Sequence, residues 1–434
     1  MRSLGMLGVL SLCWSCSGTD DTGGVGGGVS VGGTGGNAAG AGQGGSGLGG
    51  TTGGSGGTGG GIITSGGTGG GVPTEVVSSL ELERVWYIAS QGQNSLIDFN
   101  QSPPVVTCGP PVGESDGFEG TGVFTDPKNG TLLFYTDGRK VFHGGTNQLL
   151  ANGDALSGDA SATEPALIAP KYGSDDKEFY IFTNSTNVSA PSTISYSVMD
   201  LSQGPNGTVT TKNQQLFNGN PGEGLDVLPH PDGKSFWILA YDSAANIQSY
   251  VVNDQGVSAT PVVSPTGIAG QVKRGAINHT LDYDTIVMAI NFGGANGAIA
   301  TASFDRQTGM ISNVKQHLTG DVGYHASFSP DGSKLYFVRG SEGWYGQAYQ
   351  FDIPSSAEHL FGGTKMAAAK LAPNGKVYWA SNSSQYLGVI DNPDALGAAA
   401  GFTEQGLSLQ GCTSGFGLPN QTASYLQYLP EVPK

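Results

Sequence analysis

Seven short runs of aromatic and β-branched residues recur along the chain, and their spacing constrains the fold more than any other feature. They read WYIAS from Trp86, LLFYTDG from Leu132, FYIFT from Phe179, FWILAY from Phe236, IVMAIN from Ile286, KLYFVRG from Lys334 and KVYWAS from Lys376. Aligning Trp86, Phe134, Tyr180, Trp237, Val287, Tyr336 and Tyr378 gives intervals of 48, 46, 57, 50, 49 and 42 residues. A period of this size suits one four-stranded antiparallel unit per repeat. No stretch with helical periodicity lies between the runs, which excludes alternating strand–helix units.

The flanks repeat as well. Tight turns precede five of the runs: Asp126-Pro127-Lys128-Asn129-Gly130, Gly173-Ser174-Asp175, Pro231-Asp232-Gly233, Pro330-Asp331-Gly332 and Pro373-Asn374-Gly375. Asn-Gly and Asp-Gly accept the positive φ that a two-residue hairpin demands. Before the turns lie short inner strands: GTGVFTD, EPALIAPK, GLDVLPH, GAINH, YHASFSP and AAAKLAP. After each run comes an alternating strand, such as ISYSVMD or AIATASFD, and in most repeats a more polar outer one, such as VTTKNQQLF from Val209. The pattern predicts an all-β, seven-bladed β-propeller of four-stranded antiparallel blades over residues 76–434. Six inner strands serve seven blades, because nothing strand-like precedes Trp86. The alternating SYLQYL at 424–429 is expected to close blade 1 as its innermost strand and so remove the open sheet edge.

Composition separates this region from what precedes it. Glycine totals 74 of 434 residues; residues 18–72 hold 29 of them and residues 73–434 hold 43. Residues 17–75 are mostly Gly, Ser, Thr, Asn and Ala, with scattered single Val and Leu residues and one adjacent apolar pair, Ile62–Ile63. Such a stretch has almost nothing to bury against its conformational entropy, so a disordered linker with a reach of about 40 Å is expected. Matches there to G-x-S-x-G at Gly53–Gly57 and to G-x-G-x-x-G at Gly45, Gly47 and Gly50 are chance products of poly-Gly. Lys and Arg number 19 against 35 Asp and Glu, a net charge of −16, which lacks the basic footprint a nucleic-acid binder needs.

The chain opens MRSLGMLGVLSLCWSCSG, with an apolar run from Leu4 to Leu12 that is too short to span a bilayer. A Cys after such a run and before a Gly/Ser stretch resembles the bacterial lipoprotein signal, in which the Cys becomes the lipidated first residue of the mature chain. The small Ser15 before Cys16 favours Cys16 over Cys13, where Leu12 is too large. The resemblance implies a signal segment at 1–16, a lipid anchor as the only membrane attachment, and, with no Asp after Cys16, the outer membrane. An ordinary secreted chain with a spare thiol is the alternative. The remaining cysteines are Cys108, ending the outer strand of blade 1, and Cys412, following the outer strand of blade 7. Both fall in outer-to-inner crossings of neighbouring blades in an oxidising compartment, so a Cys108–Cys412 disulfide is expected, with two buried thiols as the alternative.

The segment FSPDGSKLYFVRG resembles the Pro-Asp-Gly repeat of bacterial WD40-like and YVTN-type propellers. WYIASQGQNSLIDFN, NGTLLFYTDGRKVF, ALIAPKYG, YLGVIDNPDALGAAAGF and SLQGCTSGFGLPNQTASYL together resemble the propeller of large surface proteins of gliding bacteria. This likeness covers nearly all of residues 82–428 and implies architecture more than activity. Those proteins continue into adhesion repeats and a sorting domain, whereas this chain ends at Lys434 and carries its own anchor signal.

Catalytic constellations are sparse. His143, His230, His279, His317, His325 and His359 show no zinc spacing, and no H-E-x-x-H or C-x-x-C occurs in the propeller region. His230 is expected to pack a hairpin turn. Propellers bind ligands where the inner strands begin, and the polar residues there are Glu119, Glu164, Asp226, Arg274, His325 and Lys365, one from each of six blades. Such a mixed ring can recognise a polar ligand or polarise a carbonyl, or can line a wet channel with no further role. No cofactor is expected, and a structural Ca²⁺ has candidate carboxylates at Asp154 and Asp159 or at Asp282 and Asp284. Three functions fit: a non-enzymatic, monomeric lipoprotein displaying a binding face for an envelope or surface protein or glycan; an enzyme using the channel, similar to propeller lactonases or lyases; and a periplasmic assembly scaffold.

Overall fold

The computed structural model describes residues 83–109, 115–186, 192–341, 343 and 345–420. The signal segment with Cys13 and Cys16, the linker at 17–75 and the closing strand expected at 424–429 lie outside these residues. The described chain is all-β apart from one 3₁₀ turn at Gly397–Ala400, and every strand pairing within its sheets is antiparallel.

The strands follow the repeat. The first group holds β1 (Val85–Ile88), β2 (Ser95–Asp98) and β3 (Val105–Cys108); the second holds β4 (Gly122–Thr125), β5 (Leu132–Thr136) and β6 (Val141–His143). The third holds β7 (Ala166–Pro170), β8 (Glu178–Asn184), β9 (Ile194–Asp200) and β10 (Thr208–Phe217). In the fourth, β11 (Leu225–Pro229), β12 (Phe236–Tyr241) and β13 (Ile247–Asn253) are flanked by β14 (Gly256–Val257) and β15 (Val262–Ser264), both paired to β13. The fifth holds β16 (Ile277–His279), β17 (Thr285–Asn291), β18 (Gly297–Asp305) and β19 (Met310–Gly320). The last seven strands form one sheet: β20 (Ala326–Phe328), β21 (Lys334–Arg339), β22 (Gly346–Asp352), β23 (Ala357–Leu371), β24 (Val377–Ser381), β25 (Tyr386–Ile390) and β26 (Phe402–Ser408).

All seven aromatic runs are strands, and burial explains their composition. β1 and β12 are buried at every residue, as a strand covered on both faces must be, whereas the outer β10 and β26 are mostly half-buried or exposed. Sequestering side chains such as Trp86, Phe236 and Trp379 contributes about 1.5–3 kcal/mol each. The turns fall where expected but are longer than two-residue hairpins. The Ser329 N–H bonds Lys334 O at 3.0 Å and the His230 N–H bonds Ser235 O at 3.1 Å, with four residues between, and only the Gly of each Asp-Gly pair takes positive φ. In Pro330-Asp331-Gly332, Asp331 Oδ1 accepts the Ser333 N–H at 2.9 Å and the Ser329 hydroxyl at 2.7 Å, while Gly332 takes φ +71°.

Four of the six sheets depart from four plain strands. The first and second show three strands each, and the chain of the second turns back on itself after β6, the Asn147 N–H donating to His143 O at 2.8 Å. In the fourth, a hairpin at Gly256 (φ +108°) divides the outer edge between β14 and β15. The outer strand of the sixth repeat and the inner strand of the seventh, expected as two, are the single 15-residue β23. It crosses from one to the other through Gly362 (φ +98°), Gly363 (φ +89°) and Lys365 (φ +52°).

Successive inner strands neighbour one another from β4 through β7, β11, β16 and β20 to β23. Polar ties cross between the groups: Tyr241 Oη donates toward Ala276 O at 3.0 Å and Ala289 O at 3.1 Å, Asn278 Nδ2 to Ala326 O at 2.8 Å, and the Leu371 N–H to Ser327 Oγ at 3.1 Å. The chain following Cys412 then passes between β23 and β4. The Ala368 N–H donates to Phe416 O at 3.0 Å, the Phe416 N–H to Phe118 O at 3.1 Å and the Asn420 N–H to Thr121 O at 2.8 Å. Gly417 runs so close to Glu119 that a Cβ there would lie 1.3 Å from its carbonyl oxygen. This closed circuit of antiparallel groups is consistent with a β-propeller.

The expected disulfide is present: Cys108 and Cys412 are bonded, with their Cα atoms 5.6 Å apart and 304 residues between them in sequence. It fixes the returning segment against β3. Replacing both cysteines by Ser is expected to lower stability by about 2–5 kcal/mol in urea unfolding under oxidising conditions, and an unchanged midpoint would remove the bond from the account of closure. Gly417→Ala is expected to lower the midpoint as well, because the clash is with backbone that cannot step aside.

Candidate functional site

Residues at the starts of the inner strands meet in two linked groups. In the first, Tyr324 Oη donates to Glu119 Oε2 at 2.8 Å and Ser161 Oγ to Glu119 Oε1 at 3.1 Å. Glu223 Oε2 accepts the backbone N–H and the hydroxyl of Thr163, both at 2.9 Å, and its Oε1 accepts the Thr186 hydroxyl at 2.7 Å. The Arg274 guanidinium acts on both carboxylates.

In the second group Glu164 Oε2 accepts the N–H of Leu225 at 2.6 Å and of Ile277 at 3.2 Å. Asp226 Oδ2 meets His279 Nδ1 at 2.9 Å, with both side chains sealed from solvent. Lys370 Nζ lies 3.0 Å from Glu83 Oε2 in a similarly buried ion contact and 5.8 Å from the centre of the Trp86 ring. His325 is buried beside the Lys370 charge. Nearby residues of one strand start feed different groups: Thr163 and Glu164, Tyr324 and His325, Glu223 and Asp226.

Burial dominates the electrostatics. It pushes the Glu119 carboxyl up to about 8, with repulsion from Glu223 adding to the rise and the Tyr324 hydrogen bond and Arg274 opposing it. Burial likewise raises Glu223, against hydrogen bonds from Thr186 and Thr163, and raises Glu164, against the Leu225 amide. The His325 imidazole is pushed down to about 3, by burial first and by Lys370 second. Chemically the arrangement holds a carboxyl that titrates near neutrality between a phenol and a guanidinium, enclosed by protein.

Of the six residues singled out in the sequence, Glu119, Glu164, Asp226, Arg274 and His325 belong to these groups. Lys365 does not. It is exposed at the crossing within β23, and Lys370, five residues on, is the lysine that reaches the interior. A lone lysine inside the apolar run AAAKL was the available signal. Glu83, Glu223, His279 and Tyr324 were not anticipated as members, because each lies one or a few residues from a strand boundary that pattern alone does not fix.

His230 packs its turn, with Nδ1 accepting the Asp232 N–H at 3.1 Å and the ring beside Trp237. Among the described residues no three His, Cys, Asp or Glu side chains converge as metal ligands. Asp154 pairs with Lys212 and Asp284 with Arg306, while Asp159 and Asp282 cap local turns. No helix among the described residues is long and apolar enough to cross a membrane.

No protein-family model matches the chain, and no curated protein matches it. Solved structures do resemble it. A candidate 6-phosphogluconolactonase from Bacteroides fragilis matches at 13% identity and TM-score 0.46, over 79% of this chain and 99% of that one. TolB from Acinetobacter baumannii matches at 17% identity and TM-score 0.34, over 77% and 82%. The calcium-binding protein regucalcin from Agrobacterium tumefaciens matches at 15% identity and TM-score 0.35, over 69% and 94%.

The buried groups set the pH dependence of stability. Glu119 titrates in the folded chain at about 8 and in the free side chain at 4.5, so its contribution is complete below pH 4.5 and is lost as pH rises through 8. His325 is depressed from 6.5 to about 3, so its contribution is complete above pH 6.5 and is lost as pH falls through 3. Thermal melts are therefore expected to decline on both sides of mildly acidic pH. Glu119→Gln should flatten the alkaline limb and His325→Asn the acidic one. Limbs that survive these substitutions would show that other groups govern them.

Proposed function

We propose that this chain is a seven-bladed β-propeller, closed by its C-terminal segment and held to the cell envelope through a lipidated Cys16 and a Gly-rich stalk. It acts as a monomeric binding module for an envelope or surface protein or glycan, at the outer membrane. The observation that carries this reading is the internal matching of the central charge. Glu83, Glu119, Glu164, Glu223 and Asp226 are buried and engaged by side chains and amides of the same ring. The centre thus acts as a hub for the inner strands, and recognition falls to the outer surface. Closure of β1 on its inner side by residues 424–429 is part of this proposal. Among the described residues β1 pairs only with β2, whereas its counterpart in each other group has an inner partner as well.

One observation favours a second reading, an enzyme of the lactonase or lyase kind. A carboxyl titrating at about 8 beside a phenol and a guanidinium has the tuning of a general acid.

The test uses the full chain expressed in a bacterial envelope. Mass analysis of the N-terminal peptide is expected to find acylated Cys16, and protease added to intact cells to degrade the propeller. The purified chain is expected to bind an immobilised envelope glycan or surface protein equally well with and without Glu119→Gln. Turnover of a lactone panel that is abolished by Glu119→Gln would instead establish the enzyme.

A further inference from the structure

A cleft of about 440 Å³ opens on the flank of the ring, between the outer half of β23 and the loop ahead of β26. Phe361 and Phe402 form its floor, their ring centroids 5.6 Å apart, backed by Trp379 at 6.3 and 5.7 Å. Its volume falls in the range of pockets that hold a ligand or an anchoring side chain. Two large aliphatic side chains stand in solvent beside it: Leu360, in its wall and 55% exposed, and Leu396, next to Gly397 and 48% exposed. Aliphatics at the lip of an aromatic-floored cleft, rimmed by polar groups, mark a contact surface.

The charge of the rim selects the partner. Glu358 lines the cleft and holds Arg339 through both oxygens, at 2.7 and 2.9 Å. Glu404 sits two residues beyond Phe402 and accepts the Thr364 N–H at 2.6 Å. Asp391 and Asp394 lie in the exposed loop leading to Gly397. Against these four carboxylates stand three cations: Arg339, which Asp321 also engages at 2.6 Å, Lys376, paired with Asp391 at 2.6 Å, and Lys365, exposed next to Thr364. The rim therefore carries a net negative charge in a chain whose overall balance is −16.

We propose that this cleft is a docking site for a cationic polypeptide segment, which seats one aromatic or aliphatic side chain against Phe361 and Phe402 and sets flanking Lys or Arg near Glu404 and Glu358. The inference rests on the reading of the propeller as an outward-facing binding module, and it names the face and the chemistry of the partner. A buried apolar anchor with rim charges supplies affinity at the centre and orientation at the edge.

The experiment titrates the full purified chain with a five-residue peptide carrying phenylalanine between two pairs of lysines, read by fluorescence anisotropy. Two control peptides replace the phenylalanine by alanine or all four lysines by glutamate. Saturable binding is expected, weakened about tenfold or more in either control, a loss of roughly 1.4 kcal/mol or more. Leu360→Ser changes an exposed side chain and leaves the core intact, and Glu404→Lys reverses a rim charge; each is expected to weaken the lysine peptide several-fold, with melting unchanged. Equal binding of the glutamate peptide overturns the proposal, as does indifference to both substitutions. Retention of an envelope glycan with no peptide binding overturns it too, while leaving the display reading standing.

Discussion

Ring closure is the constraint on which the rest depends. A set of antiparallel sheets arranged side by side exposes edges wherever the circuit is left open, and unpaired backbone groups at a buried edge are costly. Here the returning segment around Phe416 lies between β23 and the residues leading into β4, accepting from Ala368 of β23 and donating to Phe118 and Thr121 ahead of β4. Only Gly fits at residue 417, where the backbone of Glu119 leaves no room for a side chain. The Cys108–Cys412 bond holds the same segment from the outer side. Two independent attachments thus converge on one stretch of chain, as expected if closure is the last step to form and the first to fail.

The buried acids follow from the same geometry. Inner strands are short, and the amides at their starts have few strand partners. Carboxylates from neighbouring repeats supply the missing acceptors: Glu164 takes the amides of Leu225 and Ile277, and Glu223 takes that of Thr163. Each acid thereby ties two or three inner strands together. The cost is charge in a dry interior with few cations, relieved by Lys370 and Arg274 and by the higher proton affinity that burial gives Glu119 and Glu164. A hub built in this way is pH-sensitive, and its carboxylates are already engaged.

Periodicity made the strands readable because a fully buried strand leaves a dense run of Trp, Tyr, Phe and Ile, and Asp-Gly or Asn-Gly beside it announces the hairpin. The disulfide was readable for a related reason, since the repeat placed Cys108 and Cys412 in adjacent crossings. Resolution was lost at strand starts. Lys365 and Lys370 both fit a six-residue window, and only the crossing through Gly362 and Gly363 decides which one turns inward. Tyr324 and Glu119 are 205 residues apart, and no local pattern tells a tyrosine that packs from one whose hydroxyl meets a carboxyl across the ring. The cleft at Phe361 had no signature of its own, because its walls come from two repeats and a 3₁₀ turn.

That cleft traces back to the same irregularity that misled the placement of the lysine. Where the sheets are separate, an outer strand ends and a loop carries the chain inward. In β23 the outer strand runs on as the next inner strand, and Thr364, just past Gly363, is held by Glu404 of β26. Neighbouring repeats are therefore joined there through continuous backbone, and the loop at 391–400 folds over the face of β22, with the Gly397 N–H bonded to Gln350 at 2.8 Å. Phe361 and Phe402 are drawn together, yet the space ahead of them stays unfilled because the loop offers only Gly397 and Ala398 as lining. Small residues at that point keep the cleft open. A bulkier side chain at Ala398 would close it while leaving the strand pairing beneath untouched, so the cleft is a separable feature of the surface and not a by-product of core packing.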